Sequence, residues 1–172
     1  VIKIACTKKM LLYNKPQMSN LAYEVLRVTE YSEEIAAGLG RLMPRLDSGM
    51  GAEPRSRNEI EKIITDSHRD QFVAMASGLI VGKAYVVDIG EPGWSMAYLG
   101  GMVVDPITRG YGVGSALLEA TFDWCTEKGI TRIGWYSEGD EFHSAAHRLY
   151  ERHGAQVIAP FFEKVLNLPE PA

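Results

Sequence analysis

Arg109-Gly110-Tyr111-Gly112-Val113-Gly114 stands between an uncharged, strand-like run, Tyr98 to Val104, and a run of helical periodicity, Ser115 to Glu127. A basic residue followed by three alternate glycines makes a loop suited to an anion. Without Cβ atoms the backbone N–H groups can converge on one concavity, and the N-terminus of the following helix adds about half a positive charge. A phosphate or pyrophosphate is the expected guest. Two other phosphate loops fail on spacing: no Gly-Lys-Ser/Thr follows, and G-x-G-x-G is not the G-x-G-x-x-G of dinucleotide-binding folds. The plainer alternative, a tight strand-to-helix turn without a ligand, stays open on these six residues alone.

Working outward, Met96 to Val104 carries no charged side chain on either face, which predicts a central strand covered on both sides. It follows the turn Gly90-Glu91-Pro92-Gly93 and a hairpin of Gln71–Ala76 and Leu79–Ile89 closed by Ser77-Gly78. Upstream, Tyr23 to Thr29 alternates as a first strand. Ser32 caps a helix whose apolar spacing runs through Ile35, Leu39, Leu42 and Met43 up to Pro44, and a second helix spans Ser56 or Asn58 to about Ser67. Asp47 to Gly51 is the connection between them. Downstream, Gly129 ends the helix of Ser115 to Glu127, Arg132 to Tyr136 is a short strand, and Ser144 to His153 is a helix stopped by Gly154. Gln156–Phe162 and Glu163–Leu168 are candidates for closing strands, within the chain or across a homodimer. This order predicts an α/β (α+β) fold, a mixed sheet flanked by helices.

The 172 residues fit one domain, taken as 18–172, with residues 1–17 set aside as an extension of uncertain origin because Met18-Ser19-Asn20 reads as a more natural beginning. Eighteen Lys and Arg against 22 Asp and Glu give a net charge of −4. That balance predicts no nucleic-acid or membrane partner, and it favours cationic or neutral acceptors over polyanions. Cys6 and Cys125 lie far apart, with Cys125 on an apolar helical stripe, so no disulfide and a reduced cytoplasmic setting are expected. No run is long enough to cross a bilayer, and no His and Cys spacing suggests a metal.

Two stretches then resemble the GNAT superfamily of acetyl-coenzyme A-dependent N-acyltransferases. Val103-Val104-Asp105-Pro106 leading into Arg109–Leu118 resembles the family's cofactor signature, and Ala146-His147-Arg148-Leu149-Tyr150-Glu151-Arg152-His153-Gly154-Ala155 resembles its later helix with a Leu-Tyr pair. The resemblance covers roughly Leu21 to Leu168, by element order more than by letters before residue 70. It implies a GNAT-like central mixed, mostly antiparallel sheet with helices on both faces. It also implies acetyl-CoA as cosubstrate, no metal, and transfer of the acetyl group to a primary amine of a small molecule or protein by direct attack on the thioester.

The residues implied in holding acetyl-CoA are Met102, Val103 and Val104 on the central strand and Arg109, Gly110, Tyr111, Gly112, Val113, Gly114 and Ser115 in the loop, with Gly100-Gly101 favouring a bulge. The N–H of residue 102 or a neighbour would meet the oxyanion. Tyr150 is the implied acid for the leaving thiolate; on its own it reads first as a core tyrosine. The chain departs from the family pattern where many members carry a strand glutamate, since Leu99, Gly100 and Gly101 occupy those places. Glu138, with Asp140 and Glu141 behind it, is the substitute base, against a plain acidic loop capping the next helix. His143 stands where many relatives have an asparagine, as a holder of the cofactor arm or a second base. His68, His147 and His153 read as surface or packing residues, and Trp94, Tyr98, Trp135 and Tyr136 as core by default. Two competing readings are a coenzyme A-binding regulatory or interaction module without turnover and an unrelated phosphate-binding domain.

Overall fold

Among the described residues, five strands form one sheet in chain order: β1 (Glu24–Arg27), β2 (Arg69–Ala76), β3 (Leu79–Asp88), β4 (Ala97–Val104) and β5 (Ile133–Gly134). The first four pair antiparallel and β5 joins β4 in parallel, so the sheet is mixed and mostly antiparallel, as expected. The described residues also form four α-helices, α1 (Glu33–Leu46), α2 (Arg57–Thr65), α3 (Val113–Glu127) and α4 (Ser144–Arg152). The structure is a computed structural model and describes residues 21–46, 51–137 and 144–158. The chain divides into two units, one ending at Trp135 and the other beginning at Tyr136.

Side-chain alternation along the strands assigns the helices of the first unit to opposite faces of the sheet. Val73, Ile80 and Val103 join Leu39 and Leu42 of α1 and Ile60 of α2 in one buried cluster. Burial of a Leu or Ile of this kind contributes about 1.5–3 kcal/mol. On the other face Gly82 lies under α3: a Cβ there would come 3.0 Å from Leu117 and 3.1 Å from Val113. Asp70 of β2 points the same way, where it accepts a hydrogen bond from Trp124 Nε1 of α3 and one from Arg27 Nε of β1 at 2.6 Å. A buried carboxylate is thereby satisfied from both sides.

The Ser77-Gly78 hairpin closes as its letters predict, with φ of 49° and 79° at the two central residues, the pair of left-handed conformations that matches the twist of the flanking strands. Ser56 caps α2 and exchanges bonds with Glu59 in a capping box. Four expectations are corrected. α1 runs through Pro44 to Leu46, because a proline in the last turn forfeits one hydrogen bond, to the Gly40 carbonyl, with little helix left to lose. α3 begins at Val113 and not Ser115, since only Gly110 and Gly112, both at φ 86°, take left-handed backbone, leaving Gly114 helical. β5 is two residues long rather than Arg132 to Tyr136. Gln156 to Ile158 belong to no strand, and the rest of the expected closing pair lies outside the described residues.

Cys125 is free and buried, its thiol pushed up to about 11 by loss of solvent and then by the nearby Asp88 charge. Cys6 lies outside the described residues. No helix among them is long and apolar enough to cross a membrane.

Candidate functional site

β4 keeps β3 along its length but has β5 beside it only at Ala97↔Ile133 and Tyr98↔Gly134. From Leu99 to Val104 its other edge has no strand partner among the described residues. Asp105 N donates to Val81 O at 2.8 Å, so strand alternation turns the N–H of Val103 toward β3 and those of Met102 and Val104 toward the unpaired edge. The Val104 carbonyl faces that edge too, where it accepts from Arg109 Nε at 3.3 Å. Of the three strand residues picked from the sequence, Met102 and Val104 thus present main-chain groups to the opening. Val103 spends its own on β3 and buries its side chain in the core.

The strand leads into a tethered turn. Asp105 caps the 3-10 turn Pro106–Thr108 and accepts from Arg41 Nη1 of α1 at 2.6 Å, while Arg41 Nη2 donates to the Ile80 carbonyl of β3. The Arg41 hydrogen bond holds the Asp105 carboxyl below the usual carboxylate range. Gly112 is the N-cap of α3 and supplies no side-chain cap. The first-turn N–H groups of Val113, Gly114 and Ser115 therefore have no acceptor within the helix, and they add to the positive end of its dipole. Gly110 has nothing within 4 Å of where a Cβ would stand, whereas a Cβ at Gly112 would come 3.2 Å from the Tyr23 hydroxyl. Tyr23 went unnoticed in the sequence; burial, with the Glu119 charge second, raises its pKa and keeps it protonated.

At the bulge the structure gives a physical reason for the missing glutamate. A Cβ on Gly100 would come 2.2 Å from the Tyr85 ring, and one on Gly101, at φ 53°, would come 2.9 Å from the same ring and 3.1 Å from Lys83 Nζ. The ring of a β3 tyrosine fills the volume that a side chain at 100 would need. Lys83, also on β3, is 5% exposed and donates to the Gly101 carbonyl at 3.1 Å. Loss of solvent, then the charges of Arg55 and Arg69, push its pKa down to about 8. Arg69 lies over the Tyr85 ring at 4.3 Å. Sequence reading passed over this group, although its signal was present: Lys83 is the lone charge in the run from Ile80 to Val87.

In the second unit, Tyr150 sits on α4, partly buried, with its pKa raised by desolvation so that it remains a phenol at neutral pH. His147 Nε2 is 3.0 Å from Ser137 Oγ and His153 Nδ1 is 2.8 Å from the Leu149 carbonyl, in keeping with ordinary packing roles. Glu138, Asp140, Glu141 and His143 lie outside the described residues. Among those described, no group of three His, Cys, Asp or Glu side chains could hold a metal ion.

Comparison with known proteins agrees with this geometry. The model of the acetyltransferase (GNAT) family matches residues 38–155. Among solved structures, an aminoglycoside acetyltransferase from an uncultured soil metagenomic sample, in complex with trehalose, superposes with a TM-score of 0.72 at 21% identity, covering 84% of this chain and 97% of that one. AAC(6')-Iy in complex with the bisubstrate analog CoA-S-monomethyl-acetylneamine gives 0.65 at 19%, covering 84% and 99%. A predicted acetyltransferase from Clostridium acetobutylicum, with acetyl-CoA, gives 0.62 at 16%, covering 84% and 96%. No curated protein sequence matches the chain.

Proposed function

Because the chain belongs to the acetyltransferase (GNAT) family, whose members are acetyl-CoA-dependent N-acetyltransferases, we propose that it acetylates a primary amine of a small molecule or protein by direct attack on the thioester. The observation that carries this reading is the unpaired edge of β4 running straight into an uncapped helix N-terminus. Acetyl-CoA has the two features such a surface fits: a pyrophosphate for the N–H groups of Gly110 to Ser115 and an amide-bearing arm for Met102 and Val104. When bound it supplies an activated acyl group. Arg109, already anchored to the Val104 carbonyl through Nε, keeps its terminal nitrogens for phosphate oxygens.

The chain's own part in the reaction is to bind, orient and move protons. An acceptor amine arrives as ammonium, with a pKa near ~10.4 for a lysine-like group, and must lose a proton before it can attack. With Leu99 buried and positions 100 and 101 closed to a side chain by Tyr85, that proton falls to Glu138, His143 or a water chain. The Met102 N–H is the donor for the developing oxyanion. Tyr150, a protonated phenol, returns a proton to the departing sulfur. Structural neighbours in complex with sisomicin and with the bisubstrate analog CoA-S-monomethyl-acetylneamine support an amine acceptor here. A reducing, cytoplasmic setting belongs to the same reading, supported by the free, buried Cys125 thiol.

The test is thiol release from acetyl-CoA against a panel of primary amines. Tyr150→Phe is expected to lower kcat by about a hundredfold, the low end for loss of a general acid, with acetyl-CoA affinity retained. Binding of acetyl-CoA with no thiol released for any amine would instead leave a coenzyme A-binding module.

A further inference from the structure

We infer that the acceptor is an amine that also carries a carboxylate, and that Lys83 and Arg69 seat this carboxylate beside the β3–β4 bulge. The inference rests on the acetyl-transfer reading above and narrows its substrate class.

Lys83 is nineteen-twentieths buried on the sheet face it shares with Val103, and its hydrogen bond is to the Gly101 carbonyl. An ammonium has three protons to donate, so capacity remains. Among the described residues no carboxylate pairs with it: Asp70 is taken by Arg27, Asp105 by Arg41, and Glu59 by Arg55. Its charged neighbours are the cations Arg55 and Arg69. Arg69 stacks its guanidinium on Tyr85, and its Nε is buried with no hydrogen-bond partner among the described residues. A buried ammonium beside a half-buried guanidinium whose Nε is cut off from water, with no carboxylate on Lys83 among the described residues, is costly to keep unless an anion joins them. A planar carboxylate is the anion that a stacked guanidinium edge and a nearby ammonium fit.

Position makes this an acceptor contact. Gly101, which Lys83 holds, directly precedes Met102, whose N–H faces the open edge of β4. The cluster therefore borders the place where thioester and amine would meet. The net charge of −4 favours cationic acceptors, but the charge at the site has the opposite sign. A polycationic amine would meet Lys83, Arg69 and Arg55 together.

Matched ω-amino carboxylates of graded length, each beside its carboxamide and the diamine of equal length, test the inference through kcat/KM for thiol release. The carboxylate is expected to exceed its carboxamide by about tenfold or more. That ratio should fall toward one in both Lys83→Met and Arg69→Gln. A lysine serving only as a strut for the bulge would leave the ratio unchanged, and that result, or a preference for diamines, overturns the inference. If no amine releases thiol, acetyl transfer fails as a reading, and calorimetric titration of N-acetylated amino carboxylates against their carboxamides onto the coenzyme A-loaded protein decides separately. Preference for the carboxylate there upholds the subsite, and equal affinity overturns it.

Discussion

The two ends of β4 solve opposite problems. Under the proposed function, its C-terminal end would receive an anion with main-chain groups: glycine backbone, an uncapped helix and a single arginine held by its Nε. At the bulge, charged side chains do the work, in Lys83, Arg69 and the Tyr85 ring between them. Main-chain recognition leaves a mark in the letters, because only glycine suits φ of 86° at positions 110 and 112. Side-chain recognition from neighbouring strands leaves almost none, because Lys83, Tyr85 and Gly100 meet only through strand register.

The sharpest way to break this contrast is to force a side chain into the bulge. Gly100→Leu should destabilise the fold by about 3 kcal/mol, the upper range for overpacking, as read by urea unfolding. Tyr85→Ala in the same chain should recover much of that loss, whereas two additive penalties would mean the ring is not the obstacle.

Lys83→Met should do the reverse and stabilise the protein at pH 7 by on the order of 2 kcal/mol. The sign follows from the lowered pKa. Between about 8, the folded value, and ~10.4, the unfolded one, the unfolded chain binds more protons, so wild-type stability climbs with pH across that window. The advantage of the variant should therefore shrink toward pH 10; a pH-independent difference would mean that burial of charge is not its source.

At the other end, Gly112→Val places a branched residue at φ 86° and a Cβ against the Tyr23 hydroxyl. Acetyl-CoA affinity is expected to drop by about tenfold, since strain of this kind costs about 1–2 kcal/mol. An unchanged dissociation constant would remove the loop from the binding surface.

The smallest effect should come from Asp105→Asn, costing about 1 kcal/mol near neutrality because Arg41 is half exposed and can turn to water. The depressed folded pKa of Asp105 means its contribution is complete above the ordinary carboxylate range and lost as pH falls through the folded value. Variant and wild type should thus begin to converge as the pH falls below about 3.9 and become equal only below the folded value.

Legibility followed the same division. The hairpin turn, the capping Ser32 of α1, the central uncharged strand and the glycine loop were readable because each is a local pattern with a local cause. The start of α3 was misplaced by two residues because its N-cap, Gly112, has no side chain to mark the boundary. Pro44 read as a stop although the last turn tolerates it. The bulge cations were missed because a net charge of −4 conceals three cations gathered at one point. The helix that carries Tyr150 was readable from its apolar spacing and from Gly154 beyond it.

Arg41 sends one nitrogen to the Asp105 carboxylate and another to the Ile80 carbonyl, so a single planar group clamps helix α1, strand β3 and the root of the glycine loop. A lysine could grip one of these at a time and would leave a hinge. With arginine, any force on the loop is borne directly by α1 and β3, so loop, helix and strand behave as one girder.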